Sequence, residues 1–285
     1  MTNCTTNILI QPISLTKTEF SNIKNQLARF DWGVLLESAD RDHIDSRWSI
    51  YSAQPIATLQ THNGKTSVQQ SNHYSEQKSD PFEILEAQRT ALFYDSEVNS
   101  DIPFTGGALG YIAYELGYQF EQICNSKKPL GLNLPEMAIG FYDWALLYDN
   151  QTSEFYLLVH KTKNSGQNIQ TLWTTRFDWL TKQGNLNSAT TPFKLNSDWS
   201  SNMDKQAYQE KFNKVQNYIL SGDCYQVNLT QRFQAAYQGD EYQAYQVLLA
   251  DNRPPFAAFL RLPSQTILSL SPERFLKLHG GIVES

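Results

Sequence analysis

The segment 270–275 (LSPERF) sets an acid and a base side by side in an otherwise apolar run. A carboxylate drawn into an apolar site must be paired with a cation, or its pKa rises and it becomes a candidate general acid/base. A solvent-facing salt bridge on an edge strand explains the same pattern, and the residues alone favour that simpler alternative. Glu273 is therefore a candidate catalytic residue whose structural alternative stays open.

Two further segments, 45–48 (DSRW) and 255–259 (PFAAF), mix small, aromatic and hydrogen-bonding side chains as pocket linings do. Ordinary core packing is the alternative, and the residues alone favour it. Other kinds of site are poorly supported. The five histidines lack metal-ligand spacing, Ser271 lies outside a G-x-S-x-G motif, and the glycines at 106–110 (GGALG) do not match a dinucleotide-binding loop.

The composition excludes several classes of partner. The chain has 285 residues, enough for two domains, with 23 Lys+Arg against 29 Asp+Glu and a net charge of −6. This balance argues against nucleic acid or an anionic membrane as the main partner. Three widely spaced cysteines without a C-x-x-C motif indicate free thiols in a reducing compartment. With no long apolar run and no signal-peptide pattern, we expect a cytoplasmic globular protein.

Periodicity predicts the elements that must position these residues. A helix is expected over 16–30, a hairpin turn at Asn63-Gly64 and a helix opening at Asp80-Pro81. Further helices are expected at 169–180, from Asp204 to Gly222 and at 240–250, and strands at 224–233, 256–262, 266–271 and 274–279. A polar, aperiodic stretch at 183–202 predicts a boundary between domains at 1–190 and 203–285.

Residues 221–233 (SGDCYQVNLTQRF) and 269–275 (SLSPERF) resemble the chorismate-utilising family that includes anthranilate synthase component I. The resemblance extends through nearly the whole chain, over 106–110, 114–117, 142–146 (YDWAL), 197–199 (SDW) and 256–262 (FAAFLRL). Residues 224–229 (CYQVNL) favour the aminodeoxychorismate synthase branch. The family implies an α+β fold in which antiparallel sheets pack face to face and the helices lie outside.

The resemblance also implies a reaction. Ammonia from a glutamine amidotransferase subunit replaces the C4 hydroxyl of chorismate, giving 4-amino-4-deoxychorismate for p-aminobenzoate and folate synthesis. A lysine in a P-I-K-G-T motif attacks the ring and Mg²⁺ holds the substrate carboxylate. Glu273 matches the position credited with general acid/base work, and this shifts the balance toward a functional Glu273.

A bound L-tryptophan is a further implication, and in anthranilate synthase the equivalent site binds the feedback inhibitor. The residues that match this site are Ser38, Asp45, Ser46, Arg47, Trp48, Pro255, Phe256, Ala257, Ala258 and Phe259. Asp45 departs from the family, which has an aromatic residue there.

The sequence stops at Ser285, where the family continues into P-I-K-G-T. We therefore expect a fold that is incomplete at the C-terminus, an inactive chain, and a nucleophile and Mg²⁺ ligands outside it; no metal ligand is assigned here. Two alternatives are anthranilate synthase component I and a catalytically dead module that binds tryptophan or docks an amidotransferase.

Overall fold

The computed structural model describes residues 3–4, 7–40, 42–95, 101–121, 134–186 and 191–285. The chain forms two compact units, one made of Met1–Ser188 with Tyr245–Ser285 and the other of Ala189–Ala244. The sequence-based division into domains at 1–190 and 203–285 stays a prediction.

The helices are α1 (Lys17–Leu27), α2 (Pro81–Leu92), α3 (Ile169–Gly184), α4 (Lys205–Ser221) and α5 (Glu241–Asn252), with a 3₁₀ helix at Tyr114–Gln119. The strands of the first unit up to α3 are β1 (Asn3–Cys4), β2 (Ile8–Ile13), β3 (Gly33–Glu37), β4 (Trp48–Ser52), β5 (Ala57–His62), β6 (Lys65–Gln70), β7 (His73–Gln77), β8 (Gly107–Ile112), β9 (Met137–Tyr142), β10 (Trp144–Asp149) and β11 (Glu154–His160). The remaining strands are β12 (Lys194–Leu195), β13 (Ser200–Ser201), β14 (Phe233–Gln234), β15 (Tyr237–Gln238), β16 (Phe256–Arg261), β17 (Thr266–Ser271), β18 (Lys277–His279) and β19 (Ile282–Glu284).

Two antiparallel sheets form the core of the first unit. The larger has the order β1-β2-β11-β10-β4-β3-β16-β17, and the smaller has the order β7-β6-β5-β9-β8. Val34 and Leu260 of the larger sheet share a buried cluster with Ala138 and Tyr142 of the smaller one, so the two sheets face each other. The predicted α+β architecture of face-to-face antiparallel sheets is confirmed.

Strand β9 shows why helices cover the outer faces. Successive side chains of a strand point to opposite faces. Ala138 and Tyr142 face the larger sheet, whereas Met137, Ile139 and Phe141 share a buried cluster with residues of α2. Both faces of β9 are therefore apolar, and all six of its residues are buried. On the larger sheet, α1 packs against α3, and α3 contacts β11.

Local signals explain where these elements begin and end. Thr16 caps α1 in a capping box with Glu19, and Asp80 caps α2 with Pro81 in the first turn. Asn63 and Gly64 both have positive φ and join β5 to β6. In the second unit, α4 ends at Gly222, which adopts the left-handed conformation with φ +80°.

One predicted strand is wrong over most of its length. Residues 224–232 form no strand in the described structure, and only Phe233–Gln234 pairs, with Ser200–Ser201. The alternating side chains there, such as Tyr225, are largely exposed. Alternation marks a face that a sheet could bury, but it does not supply the neighbouring strand. The strand predicted at 274–279 is shorter than expected, at Lys277–His279, and Gly280-Gly281 turns it back into β19.

A hydrogen bond joins the two sheets in their shared core. The hydroxyl of Tyr142 in β9 donates to the backbone carbonyl of Trp32, just before β3, at 2.8 Å. Burial raises the pKa of Tyr142 far above its usual range, so the hydroxyl keeps its proton. The ring lies close over Gly140, where an added Cβ would come within 2.6 Å of the Tyr142 hydroxyl oxygen. Glycine at 140 is thus required for this ring position.

No helix in the described parts of the chain is both long enough and apolar enough to span a membrane.

Replacing Tyr142 by phenylalanine should lower the free energy of unfolding by about 1–3 kcal/mol, because the buried carbonyl of Trp32 loses its donor. Urea denaturation of the 285-residue chain measures this change. Tyr114→Phe is the matched control, since Tyr114 is 84% exposed. Equal midpoints for the two variants would show that the hydroxyl does not stabilise the sheet packing.

Candidate functional site

Nearly all of the predicted site residues line one cavity of about 820 Å³ in the first unit. Its walls come from the ends of β3, β4, β16 and β17 and from residues 101–103. The predicted residues along it are Ser38, Asp45, Arg47, Trp48, Pro255, Phe256, Ala257, Ala258 and Glu273. We refer to it below as the first cavity.

Strand register brings the two predicted linings together. In the pairing of β3 with β16, Ala257 lies opposite Glu37 and Ala258 lies opposite Leu36. In the pairing of β16 with β17, Phe256 lies opposite Ser271. The segment that carries Glu273 therefore leaves the sheet beside the segment 255–258.

Arg47 is fixed beside the cavity by a buried carboxylate. Its Nε lies 3.0 Å from Oδ2 of Asp149, whose side chain is only 2% exposed. The other oxygen of Asp149 accepts from the backbone N–H groups of Gln151 and Thr152 at 2.9 and 3.3 Å. The guanidinium also lies 4.9 Å from the Trp48 ring. A positive charge and an indole ring thus stand together in one wall.

A second ion pair joins the predicted tryptophan-site residues to the segment that carries the candidate acid. Arg274 lies 2.7 Å from Oδ1 of Asp45, and its guanidinium is 4.9 Å from the Phe256 ring. The sequence left open a solvent-facing salt bridge on an edge strand, and in the structure Arg274 pairs with Asp45 while both side chains stay about one-third exposed. Glu273 is exposed, and its backbone is tied to Ser271, whose hydroxyl donates to the Glu273 carbonyl at 2.8 Å.

Two of the predicted residues do not line the cavity. Ser46 is buried at 3% exposure, its Oγ has no partner among the described residues, and its carbonyl accepts from Asn150 at 2.9 Å. Phe259 is fully buried, with its ring 5.5 Å from that of Tyr245 in α5. Both follow lining residues in the sequence, but their side chains belong to the surrounding core.

Glu37 lines the cavity and was missed by the sequence analysis. Its Oε1 accepts from Nζ of Lys24 at 2.9 Å and from the hydroxyl of Tyr51 at 3.1 Å. Its Oε2 is buried and has no partner within the described structure. The sequence offered one signal for Glu37: a charged residue directly follows the apolar run 33–36. A carboxylate buried beside such a run must be compensated by hydrogen bonds or a cation.

The wall chemistry suits a small zwitterion with an aromatic side chain. A carboxylate such as Glu37 accepts hydrogen bonds from an ammonium group, and an arginine such as Arg47 donates to a carboxylate. Proline and aromatic side chains cover a flat apolar group.

Comparison with known proteins shows which family this chain belongs to. A profile of the chorismate binding enzyme family matches residues 34–285. The chain belongs to this family. Aminodeoxychorismate synthase component 1 of Salmonella typhimurium is 43% identical over 254 residues, covering 89% of this chain and 53% of the relative. Anthranilate synthase component 1 of Lactococcus lactis is 28% identical over 255 residues, covering 88% of this chain and 54% of the relative.

A solved structure shows the same fold. Anthranilate synthase component I from Streptococcus pneumoniae superposes with a TM-score of 0.64 at 21% identity, covering 85% of this chain and 54% of that one. The family profile and the 43% identical relative confirm the resemblance inferred from the motifs. The chain spans about half the length of the curated relatives it matches.

The described residues do not fit a metal centre. No group of three or more His, Cys, Asp or Glu side chains among them comes together as metal ligands would. The described residues around the first cavity therefore offer no such ligand set for Mg²⁺.

The two aspartates that pair with arginines here should differ in their contribution to stability. Asp149→Asn should lower the free energy of unfolding by about 1.5–3 kcal/mol, because it removes a charged partner of Arg47 from a buried position. Asp45→Asn is the matched control and should cost less than about 1 kcal/mol, since Asp45 and Arg274 are each about one-third exposed. Urea denaturation curves compare them, and a larger effect at Asp45 would contradict this ranking.

Proposed function

We propose that this chain is part of the large subunit of aminodeoxychorismate synthase. The observation that carries the proposal is the 43% identity to the Salmonella relative of that name, against 28% for the Lactococcus anthranilate synthase component. The reaction joins ammonia to chorismate and releases water, giving 4-amino-4-deoxychorismate for p-aminobenzoate and folate synthesis. We place the protein in the cytoplasm, because the spacing of its cysteines predicts free thiols, which persist in a reducing compartment.

Glu273 is the proposed general acid/base. The C4 hydroxyl leaves as water only if it gains a proton, and a carboxyl group within reach can supply it. Two features support this role: Glu273 matches the acid/base position of the family, and its backbone is tied to Ser271 at the end of β17. When bound, Mg²⁺ would neutralise charge on the substrate carboxylate. The described residues bring together no set of His, Cys, Asp or Glu ligands for this ion.

A glutamine amidotransferase is the proposed partner that supplies ammonia. This part of the proposal rests on the family resemblance alone. Two activities can then be measured separately: turnover of chorismate with added ammonium salts, and turnover with glutamine when the partner subunit is present.

In the complete gene product, Glu273→Gln should lower kcat with ammonia by 10²-fold or more, because the amide cannot deliver the proton. The assay measures aminodeoxychorismate formed from chorismate, ammonium and Mg²⁺. Glu83→Gln is the matched control, since Glu83 is an exposed residue of the first turn of α2. Wild-type turnover by the Glu273 variant would remove this residue from the mechanism.

The first cavity is the proposed site for L-tryptophan. Its supports are the acceptor oxygen of Glu37, the fixed cation of Arg47, and the walls formed by Trp48, Pro255 and Phe256. We place the ammonium group toward Glu37 and Ser38, and the indole against the aromatic and proline side.

Phe256→Leu should weaken tryptophan binding about tenfold, because leucine removes the ring contact but keeps an apolar wall. Calorimetry with the complete gene product measures the Kd. Phe212→Leu in α4 is the control, because Phe212 is 42% exposed and belongs to the other unit. An unchanged Kd for the Phe256 variant would reject the pocket assignment.

Two rival functions predict different outcomes in the same assays. If the chain belongs to an anthranilate synthase, as the 28% identical Lactococcus relative does, the product is anthranilate. If it is a binding module, tryptophan binds and chorismate is not consumed.

A further inference from the structure

A second cavity of about 480 Å³ has no role in the function proposed above. It lies in the first unit, between the end of α2, the turn before β8 and the end of β11. We call it the His160 cavity. Its lining residues are Ile8, Arg89, Phe93, Tyr94, Asp95, Thr105, Gly106, Gly107 and His160. The volume falls within the range of about 300–1,000 Å³ typical of small-ligand pockets.

The imidazole of His160 has a defined tautomer. Its Nδ1 lies 2.9 Å from the backbone carbonyl of Thr105. A carbonyl oxygen can only accept, so Nδ1 carries the hydrogen and the lone pair lies on Nε2. Burial lowers the pKa of His160, which keeps the ring neutral at pH 7. Nε2 is therefore a hydrogen-bond acceptor, not a donor.

This acceptor has no partner in the described structure. His160 is only 5% exposed, and Nε2 is buried without a hydrogen bond. A buried acceptor left unsatisfied costs about 1–3 kcal/mol. Gly106 makes the position possible, because its φ is +91° and an added Cβ would lie 2.9 Å from the Cβ of His160. The imidazole of His160 thus lines the cavity, and its Nε2 has no hydrogen-bond partner among the described residues.

The walls around this nitrogen are aromatic and balanced in charge. The Phe93 ring lies 5.0 Å from the imidazole, and Tyr94 and Ile8 extend the apolar lining. Arg89 brings a positive charge, but it is paired with Glu86 at 2.7 Å and with Asp95 at 3.3 Å. Asp95 is the other charged residue of the lining and offsets the charge of Arg89, so the lining itself has no net charge to attract an ion.

We propose that the His160 cavity binds a small neutral aromatic molecule that donates an O–H or N–H hydrogen bond to Nε2 of His160. The ring of the ligand lies against Phe93 and Tyr94, where aromatic faces and edges give favourable contacts. Because Nε2 is buried in the free chain, binding includes a local movement that exposes this nitrogen to the ligand.

Phenol and anisole test the proposal, because the two differ in the O–H that anisole lacks. The 285-residue chain labelled with ¹⁵N is titrated with each probe, and the Nε2 resonance of His160 is followed by NMR. We expect phenol to bind at least tenfold more tightly than anisole, which corresponds to one hydrogen bond to a buried acceptor. We also expect only phenol to shift Nε2 in the direction of a newly accepted hydrogen bond.

His160→Phe should abolish the preference for phenol, whereas His73→Phe, at an exposed position of β7, should retain it. Equal affinity for phenol and anisole, or phenol binding without a shift at Nε2, would overturn the proposal. An Nε2 resonance that already reports an accepted hydrogen bond without probe, and does not change, would mean that water satisfies it and would also overturn the proposal. If the His160 variant fails to fold, the comparison of the two probes on the wild-type chain decides.

Discussion

The pairing of β3 with β16 is the constraint on which the first cavity depends. These strands are far apart in the sequence, yet their register sets Glu37 opposite Ala257 and Leu36 opposite Ala258. Because side chains alternate between faces, a slip of one residue would change which side chains of the two strands lie together beside the cavity. Strand register in the sheet therefore determines which residues form the walls of the cavity. The loop 42–47 and the segment after β17 contribute charged side chains to these walls.

Burial decides what each charged group in those walls can do. Asp149 is nearly inaccessible and holds Arg47 with little freedom, so the Arg47 charge has a fixed position. Glu37 is also buried, but Lys24 and Tyr51 contact only its Oε1, and Oε2 has no partner among the described residues. Two carboxylates at the same end of the sheet thus differ in what they hold: Asp149 fixes Arg47, whereas one oxygen of Glu37 has no partner among the described residues.

Sequence patterns predicted the parts of the fold that local chemistry determines. The capping box at Thr16 and the Asn63-Gly64 turn satisfy their hydrogen bonds and backbone angles within a few residues, so tertiary contacts do not override them. The strand expected at 224–232 needed a neighbour that no local pattern specifies. Ser46 and Phe259 were predicted as site residues from the family resemblance, and in the structure their buried side chains lie outside the lining of the first cavity. Glu37 was missed because its unpaired oxygen is a property of the folded structure.

The position of Glu273 rests on backbone geometry more than on charge. Arg274 contacts both Asp45 and Phe256, but that ion pair is partly exposed and contributes less than about 1 kcal/mol. The stronger restraint is the β16–β17 ladder, which runs to Ser271, and the hydroxyl of Ser271 then bonds to the Glu273 backbone. A side-chain substitution at 273 leaves both of these restraints intact. Loss of turnover in such a variant would therefore report on the carboxyl group itself, not on a displaced segment.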